Sequence, residues 1–294
     1  MSLYKTPLRY PGGKQRIWRF IDEIVTTNDL EGGHYVEPYA GGAGVAMELL
    51  LRGKVSGVHL NDACVAVFSF WDSVLNETEK MCRKISRASL TVEEWKRQRE
   101  IFRKREEADP LELGFATFYL NRCNRSGILT GGVIGGIDQS GPWKIDARFP
   151  RNELIKRIEA IADRKRAIHI RNWDAERFLM EYVPKLQKKT LVYCDPPYFK
   201  KADRLYPNHY SREDHARIAK VIQDNLKIPW VVSYDSAPEI LSYYPRRRSF
   251  LYTLQYNAAR AYKGREMFIF SDKITIPERS ALPSIDETLL TSLA

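Results

Sequence analysis

The chain alternates short apolar runs with helix-forming segments, and this alternation constrains its fold more than any other feature. The runs Val55–Asp62, Ala167–Asp174, Leu191–Asp195 and Ile228–Asp235 each have the composition of a buried strand. A fifth run, starting at Tyr35, leads through a glycine-rich turn into a helix. We therefore predict an α/β protein with a doubly wound, Rossmann-like sheet of parallel strands.

Two later runs predict an addition to that sheet. Phe250–Ala258 and Glu266–Asp272 have strand composition, and we expect them to form a closing antiparallel pair. The residues after Asp272 are polar with little pattern, so we expect this tail to fray. A chain of 294 residues is long enough for one large domain, or for one domain with an insertion.

Acidic residues stand at or just after four of the predicted strand ends. They are Glu37, Asp62, Asp174 and Asp195. In doubly wound sheets, ligands bind in the crevice outside the carboxyl ends of the strands. One acid at such a position carries little information, but four in one sheet predict a single crevice.

The glycine turn after the first strand is Gly41-Gly42-Ala43-Gly44. Glycines permit a tight turn and let a ligand approach the backbone, although a plain strand-to-helix turn remains an alternative. No G-x-x-x-x-G-K-[ST] motif occurs, which argues against a P-loop. A nucleoside without phosphates fits the turn, because Asp62 at the next strand end can accept hydrogen bonds from ribose hydroxyls.

The charge balance is basic, with a formal net charge of +10. Lysine and arginine favour a polyanionic partner, because they release counterions from phosphates. The segments Tyr119–Gly136 and Tyr243–Phe250 set arginines among glycines or aromatics, as in loops that contact nucleic acid. Ordinary surface charge is the alternative for each arginine taken alone.

Other protein classes are disfavoured by composition. No apolar run approaches membrane-spanning length, and the N-terminus lacks the apolar core of a signal peptide, so we predict a cytoplasmic protein with no membrane partner. The four cysteines show no C-x-x-C spacing, so we expect reduced thiols and no metal.

The segment LVYCDPPYF, Leu191–Phe199, ends a buried strand on a carboxylate and stiffens the next turn with two prolines. Prolines often end strands and an Asp can simply start a turn, so an isolated Asp-Pro would need no further explanation. Here Asp195, a proline carbonyl and the ring of Tyr198 come together at one strand end. This combination indicates a site.

Six motifs together resemble the Dam-type DNA adenine methyltransferases, the α-group of S-adenosylmethionine-dependent amino-methyltransferases. They are LRYPGGK (Leu8–Lys14), VEPYAGGAG (Val36–Gly44), HLND (His59–Asp62), RNWD (Arg171–Asp174), DPPY (Asp195–Tyr198) and WVVSYD (Trp230–Asp235). Their order also fits that group, with the glycine motif first, then an insertion, then DPPY. The resemblance covers most of residues 4–272.

The resemblance implies S-adenosyl-L-methionine as cofactor and duplex DNA as partner. It implies a cofactor site made of the N-terminal motif, the glycine turn, the ribose-binding acid, the adenine pocket and the DPPY acid: Tyr10, Gly12, Gly13, Lys14, Glu37, Tyr39, Ala40, Gly41, Gly42, Gly44, Asp62, Trp173, Asp174 and Asp195. It implies a catalytic motif made of Asp195, Pro196, Pro197 and Tyr198.

The chemistry of adenine explains why such a motif is useful. The exocyclic amine is a poor nucleophile, because its lone pair is delocalised into the ring. Two acceptors aimed at its hydrogens, the Asp195 carboxylate and the Pro196 carbonyl, would favour a localised lone pair, and Pro197 preorganises that carbonyl. The target base must leave the duplex stack, and Tyr198 offers a ring for it to stack on.

The resemblance divides the chain into a catalytic domain of residues 1–75 and 152–272, an inserted, mainly helical target-recognition region of residues 76–151, and a tail of residues 273–294. We expect DNA contacts from Arg9, Asn121, Arg122, Asn124, Arg125 and Ser126, with Arg122 and Arg125 reading bases. The insertion differs from that of GATC-methylating members after Leu120–Arg122, so we predict another recognition sequence.

Alternatives remain open from the sequence. RNA adenine or the exocyclic amine of DNA cytosine would be methylated by similar chemistry, and a non-catalytic DNA-binding relative would keep the fold. A monomer and a weak dimer are both compatible with the sequence. A solitary, a restriction-linked and a phage-encoded enzyme are equally so.

Overall fold

The computed structural model describes residues 4–9, 14–199, 210–257 and 261–277. Its seven strands are β1 (His34–Glu37), β2 (Gly57–Asn61), β3 (Ile168–Arg171), β4 (Thr190–Cys194), β5 (Trp230–Asp235), β6 (Ser249–Asn257) and β7 (Ala261–Phe270). They form one sheet in the order β3-β2-β1-β4-β5-β7-β6. Strands β1 to β5 pair in parallel, and β7 is antiparallel to both β5 and β6. The predicted α/β sheet and the closing antiparallel pair are confirmed.

Helices connect the parallel strands and cover the sheet. They are α1 (Trp18–Thr27), α2 (Gly44–Leu51), α3 (Val65–Asn76), α4 (Thr78–Arg87), α5 (Val92–Arg103), α6 (Pro110–Cys123), α7 (Arg151–Ala162), α8 (Ala175–Arg177), α9 (Arg212–Asn225) and α10 (Pro238–Tyr243). Helix α9 begins with a capping box, since the Ser211 hydroxyl accepts from the Asp214 N–H and the Asp214 carboxylate accepts from the Ser211 N–H. Among the described helices, none is both long and apolar enough to cross a membrane.

Both faces of the central strands β1, β4 and β5 are buried, which explains their continuous apolar character. Along β4, Leu191 and Tyr193 point into a hydrophobic cluster shared with α1, α2 and α3. Val192 and Cys194 point into a second cluster, shared with α9 and α10. The strand therefore lies between two apolar layers, and its carboxyl end is the place where polar groups can begin.

The region between α3 and α7 is helical first and irregular afterwards. Helices α4 and α6 pack against α3, and α5 packs against α6. The Phe118 ring of α6 stacks on Phe70 of α3 with 6.0 Å between centroids. The buried side chains of this region belong to the same hydrophobic cluster as those of α1 to α3. From Asn124 to Pro150 the chain forms turns, with one isolated bridge between Asn124 and Val133.

The start of the C-terminal tail is docked on the domain. Ile274 is 1% exposed, and the Thr275 N–H donates to the Asn28 side-chain oxygen at 2.7 Å. The expectation that the chain frays directly after Asp272 is therefore wrong for residues 273–277, because an apolar side chain anchors them. Residues 278–294 lie outside the described part.

Candidate active site

The acids at the predicted strand ends meet in one crevice. A cavity of about 410 Å³ opens at the carboxyl edge of the sheet, and Glu37, Asp62, Asp174 and Asp195 all line it. Lys14 and the residues of the glycine turn line the same cavity. The structure thus brings together the described members of the predicted cofactor site except Trp173, which does not line the cavity. Tyr10, Gly12 and Gly13 lie outside the described residues.

The glycine turn is tied to the next strand end by Asp62. One carboxylate oxygen of Asp62 accepts from the Gly41 N–H at 2.8 Å, and the other accepts from the Cys64 N–H at 2.9 Å. Gly41 has a φ of +45°, a backbone conformation that favours glycine. Burial raises the pKa of Asp62 to about 6, although both hydrogen bonds act to lower it. Asp62 is therefore largely ionised at neutral pH and already shapes the turn.

Glu37 lies deeper in the crevice, at the end of β1. Its side chain is 5% exposed, and one oxygen accepts from the Ala46 N–H in the first turn of α2 at 3.1 Å. Burial raises the pKa of Glu37 to about 8, and the bond from Ala46 offsets only part of this rise. Glu37 is therefore mostly protonated at pH 7, a state that its position in the sequence did not indicate.

Tyr39, Ala40, Gly42 and Gly44 also line the cavity around the turn. The Tyr39 hydroxyl lies 3.1 Å from that of Tyr210, which stands two residues before α9 and also lines the cavity. The sequence alone did not predict this contact.

The chain just after β3 is held by Asn61, the last residue of β2. The sequence motifs did not indicate a role for this residue. The Asn61 amide donates to the carbonyls of Pro38 and Trp173 at 3.1 and 3.0 Å, and its oxygen accepts from the Trp173 N–H at 3.0 Å. Asn61 is 1% exposed and joins the ends of β1, β2 and β3. Asp174 follows, and its carboxylate accepts from the Glu176 N–H at 2.9 Å to cap α8.

The carboxylate of Asp195 is held by two donors on the same oxygen. Oδ1 accepts from the Ser233 hydroxyl at 2.7 Å and lies 2.9 Å from the Lys14 ammonium. Tyr193 supports Ser233, with 2.7 Å between their hydroxyl oxygens. Burial raises the pKa of Asp195, and the neighbouring ammonium opposes the rise. The Asp195 side chain remains 23% exposed toward the cavity.

Glu266 on β7 completes this polar cluster. It is 1% exposed, and its carboxylate accepts from the hydroxyls of Tyr198 and Tyr252 at 3.0 and 2.5 Å and lies 2.5 Å from the Lys14 ammonium. Although burial acts to lower the pKa of Lys14, the carboxylates of Asp195 and Glu266 outweigh it and raise that pKa. A buried acid within the apolar run EMFIF is the one sequence signal that could have indicated Glu266.

The DPPY turn follows β4 directly. Pro196 is buried, Pro197 lines the cavity, and the Tyr198 side chain is buried with its hydroxyl bound to Glu266. The Phe199 N–H donates to the Asp235 carboxylate at 2.8 Å, which ties the end of the turn to β5. The turn is therefore anchored on both sides of the Asp195 carboxylate.

The asparagines proposed for DNA contact are used inside the protein. Asn121 accepts from the Arg9 N–H at 2.7 Å and donates to the Gly127 carbonyl at 2.9 Å. Asn124 accepts from the Trp95 indole at 2.7 Å and donates to the Ile128 carbonyl at 2.8 Å. These bonds fix the loop after α6.

The arginines proposed for DNA contact differ in exposure. Arg9 and Arg122 line the cavity together with Arg157. Arg122 is 6% exposed and donates to the Arg148 carbonyl at 2.6 Å, and burial lowers its pKa to about 9. Arg125 and Ser126 begin the loop, where Arg125 is exposed and Ser126 has a φ of +57°. Arg125 is thus the candidate whose guanidinium is most accessible to DNA.

Metal-binding groups and disulfides are lacking in the described part of the chain. No group of three or more His, Cys, Asp or Glu residues there is arranged to hold a metal ion. Cys64, Cys82, Cys123 and Cys194 are free thiols. Besides its carboxylates and hydroxyls, the cavity is lined by the Lys5, Arg9, Lys14, Arg122 and Arg157 side chains and by the Cys64 thiol.

One protein family matches most of the chain. The family model described as D12 class N6 adenine-specific DNA methyltransferase matches residues 10–257, which include the glycine turn, the DPPY turn and the region between α3 and α7. A search of the curated proteins gave no match. The chain therefore belongs to the D12 class of N6 adenine-specific DNA methyltransferases, enzymes that methylate the N6 amine of adenine in DNA.

Proposed function

We propose that the crevice binds S-adenosylmethionine and that Asp195 receives a target adenine flipped out of the duplex. The observation that carries the proposal is the position of Asp195, whose carboxylate is held at the rim of the cavity by Ser233 and Lys14. A cavity of about 410 Å³ is in the range of small-molecule sites. The cofactor supplies a methyl group on a positively charged sulfur.

The residues present suit such a cofactor. Its methionine end carries positive charge, and Glu37 and the glycine turn are the groups that we assign to it. Its ribose hydroxyls can donate to Asp62, whose two oxygens already accept one N–H each and retain further lone pairs. We assign Trp173 and Asp174 to the adenine ring of the cofactor. The Trp173 backbone is held by its hydrogen bonds with the Asn61 side chain.

The held geometry of Asp195 suits the amine of the substrate. Among the described residues, the two donors that hold the Asp195 carboxylate, Ser233 and Lys14, both bind Oδ1. We therefore assign Oδ2 to one hydrogen of the adenine amine. The Pro196 carbonyl is the second acceptor in this proposal. As the nitrogen gains the methyl group it becomes positively charged, and the Asp195 carboxylate stabilises that charge and accepts the departing proton.

Calorimetry tests the cofactor part of the proposal. Asp62→Asn is expected to weaken S-adenosylmethionine binding by about 1.5–3 kcal/mol, because a charge-assisted hydrogen bond is lost. Asp72→Asn, on the nearby helix α3, is the matched control and should bind normally. Removing the 2′-hydroxyl from the cofactor should weaken its binding to the parent protein. The same change should weaken binding to Asp62→Asn by much less, because the partner of that hydroxyl is already altered. Equal losses for both proteins would remove Asp62 from the ribose site.

Base flipping needs a separate measurement. Sequencing of methylated DNA from cells that express the protein would identify the recognised sequence. A duplex with 2-aminopurine at the target adenine should then become more fluorescent on binding, because the base leaves the stack. An unchanged signal in a complex that is saturated and active would contradict flipping.

A further inference from the structure

A second concave surface lies on the region between α3 and α7. It is a groove of about 540 Å³ between α4, α5 and α6, here called the α4 groove. Its cations are Lys80, Arg83, Lys84 and Arg87 of α4 and Arg97 of α5, and the side chain of Phe115 forms part of its wall. None of these residues lines the cofactor cavity.

The cations of α4 form one stripe along the helix. Residues 80, 83, 84 and 87 follow the spacing i, i+3, i+4, i+7, which places them on one face. Met81 and Ile85, on another face of α4, are fully buried and fix the helix against the domain. The orientation of the stripe toward the groove is therefore set by the core.

The stripe carries more positive charge than its neighbours neutralise. Carboxylates pair with Lys80, Lys84 and Arg97. Arg83 and Arg87, which are both exposed, have no carboxylate within ion-pair distance in the described part of the chain. Like charges at i, i+4 destabilise a helix, and a bound polyanion would relieve that repulsion.

The α4 groove is joined to the cavity by helix α7. The Arg151 guanidinium, at the start of α7, donates to the carbonyls of Ile85 and Ala88 at 2.6 and 2.5 Å, at the end of α4. Arg157, further along the same helix, lines the cavity. These two positions are about 9 Å apart along the α7 axis. Helix α7 therefore reaches from the end of the stripe to the wall of the cavity.

We propose that the α4 groove binds the phosphates of the DNA duplex that flanks the target base. This proposal rests on the proposed function and adds a contact surface to it. The stripe is about 10 Å long, and a DNA strand carries one phosphate per about 3.4 Å of axis, so the stripe can follow about three successive phosphates. Such contacts raise affinity for long duplexes without reading sequence.

The test uses the double variant Arg83→Gln, Arg87→Gln of the full chain and measures duplex binding by fluorescence anisotropy over a range of salt concentrations. Losing two phosphate contacts is expected to reduce the slope of log affinity against log salt by about 1.8. The loss should appear with a long duplex and disappear with a short duplex that ends close to the target base.

The matched control is Arg103→Gln, Lys104→Gln, which removes the same charge from the exposed end of α5, where both residues face Glu100. The control should keep the parental slope. An equal reduction in both double variants would overturn the proposal, because net charge alone would explain it. An unchanged slope in the Arg83, Arg87 variant would also overturn it and leave the proposed function intact, whereas a parent that binds no duplex would contradict both.

Discussion

Cofactor binding is expected to release close to one proton at pH 7, and Glu37 is its main source. Burial raises the pKa of Glu37 to about 8 and that of Asp62 to about 6. At pH 7, Glu37 is then about 0.9 protonated and Asp62 about 0.1 protonated. A cation at the glycine turn and hydroxyl donors at Asp62 favour the ionised forms, so both protons leave when the cofactor binds.

The sign of the pH dependence follows directly. The free protein holds more protons than the complex, so affinity rises with pH until Glu37 is ionised in the free protein as well. Between pH 7 and pH 6 the apparent Kd should increase roughly 17-fold, and above about pH 9.5 the contribution of Glu37 should vanish. A simple charge attraction to a permanently ionised Glu37 would give no such dependence.

Calorimetry in two buffers with different ionisation enthalpies measures the number of protons released. The α-amino group of the cofactor titrates in the same range, so the informative quantity is the difference between the parent and Glu37→Gln. Gln keeps an oxygen for the Ala46 N–H but cannot ionise. We expect the parent to release about 0.9 proton more at pH 7. Equal proton release by both proteins would refute the assignment of Glu37 to the cofactor site.

Three further predictions concern the scaffold. Burial lowers the pKa of His59 to about 3, so below neutral pH the unfolded chain binds a proton that the folded chain does not. The free energy of unfolding should therefore fall by about 2 kcal/mol between neutral pH and pH 5, and urea titrations should show a smaller fall in His59→Asn. Gly127→Ala should reduce thermal stability more than Gly53→Ala. Both glycines have a positive φ, but an added Cβ at Gly127 would lie 2.0 Å from the Arg9 carbonyl oxygen, whereas one at Gly53 would meet no atom within 4 Å. Equal melting temperatures of the two variants would contradict this. Glu266→Gln should lower the free energy of unfolding by about 1–3 kcal/mol in urea titrations, because buried hydroxyl and ammonium donors lose a charged acceptor. An unchanged free energy of unfolding would show that the charge of Glu266 does not stabilise the fold.

The acids of the crevice could be predicted from the sequence because each one stands at the end of a strand or within three residues after it. Once strands are recognised from apolar runs, the parallel topology brings Glu37, Asp62 and Asp195 to one edge. The glycine turn was predictable for the same reason. These inferences need only local patterns and one general property of α/β sheets.

The residues that hold those acids could not be predicted in the same way. Ser233 reaches Asp195 from the neighbouring strand, and Glu266 reaches Lys14 from β7. Each contact joins segments far apart in the chain, and the position of β7 between β5 and β6 is also a non-local result. Asn61 and Ser233 lie in the HLND and WVVSYD motifs, but Ser and Asn are common residues in any strand or turn, so the motifs did not indicate which groups these side chains hold.

The protonation state of Glu37 also depends on the folded environment. Its position in the sequence indicates an ordinary carboxylate, whereas its burial, with only 5% of the residue exposed, makes ionisation unfavourable. The same applies to Arg122, whose burial lowers its pKa, and to Asn121, whose side chain is used within the loop. Burial and partners, rather than residue type, decide these roles.

The most direct test of the central claim is the transfer of a tritiated methyl group to duplex DNA, with nucleoside analysis of the product, for the parent and for Asp195→Asn. The parent should label N6-methyladenine. Asp195→Asn should fold normally and lose about 100- to 1000-fold in rate, because a preorganised charge beside the reacting amine is lost. Label on cytosine, or an Asp195→Asn rate within a few-fold of the parent rate, would contradict the role assigned to Asp195.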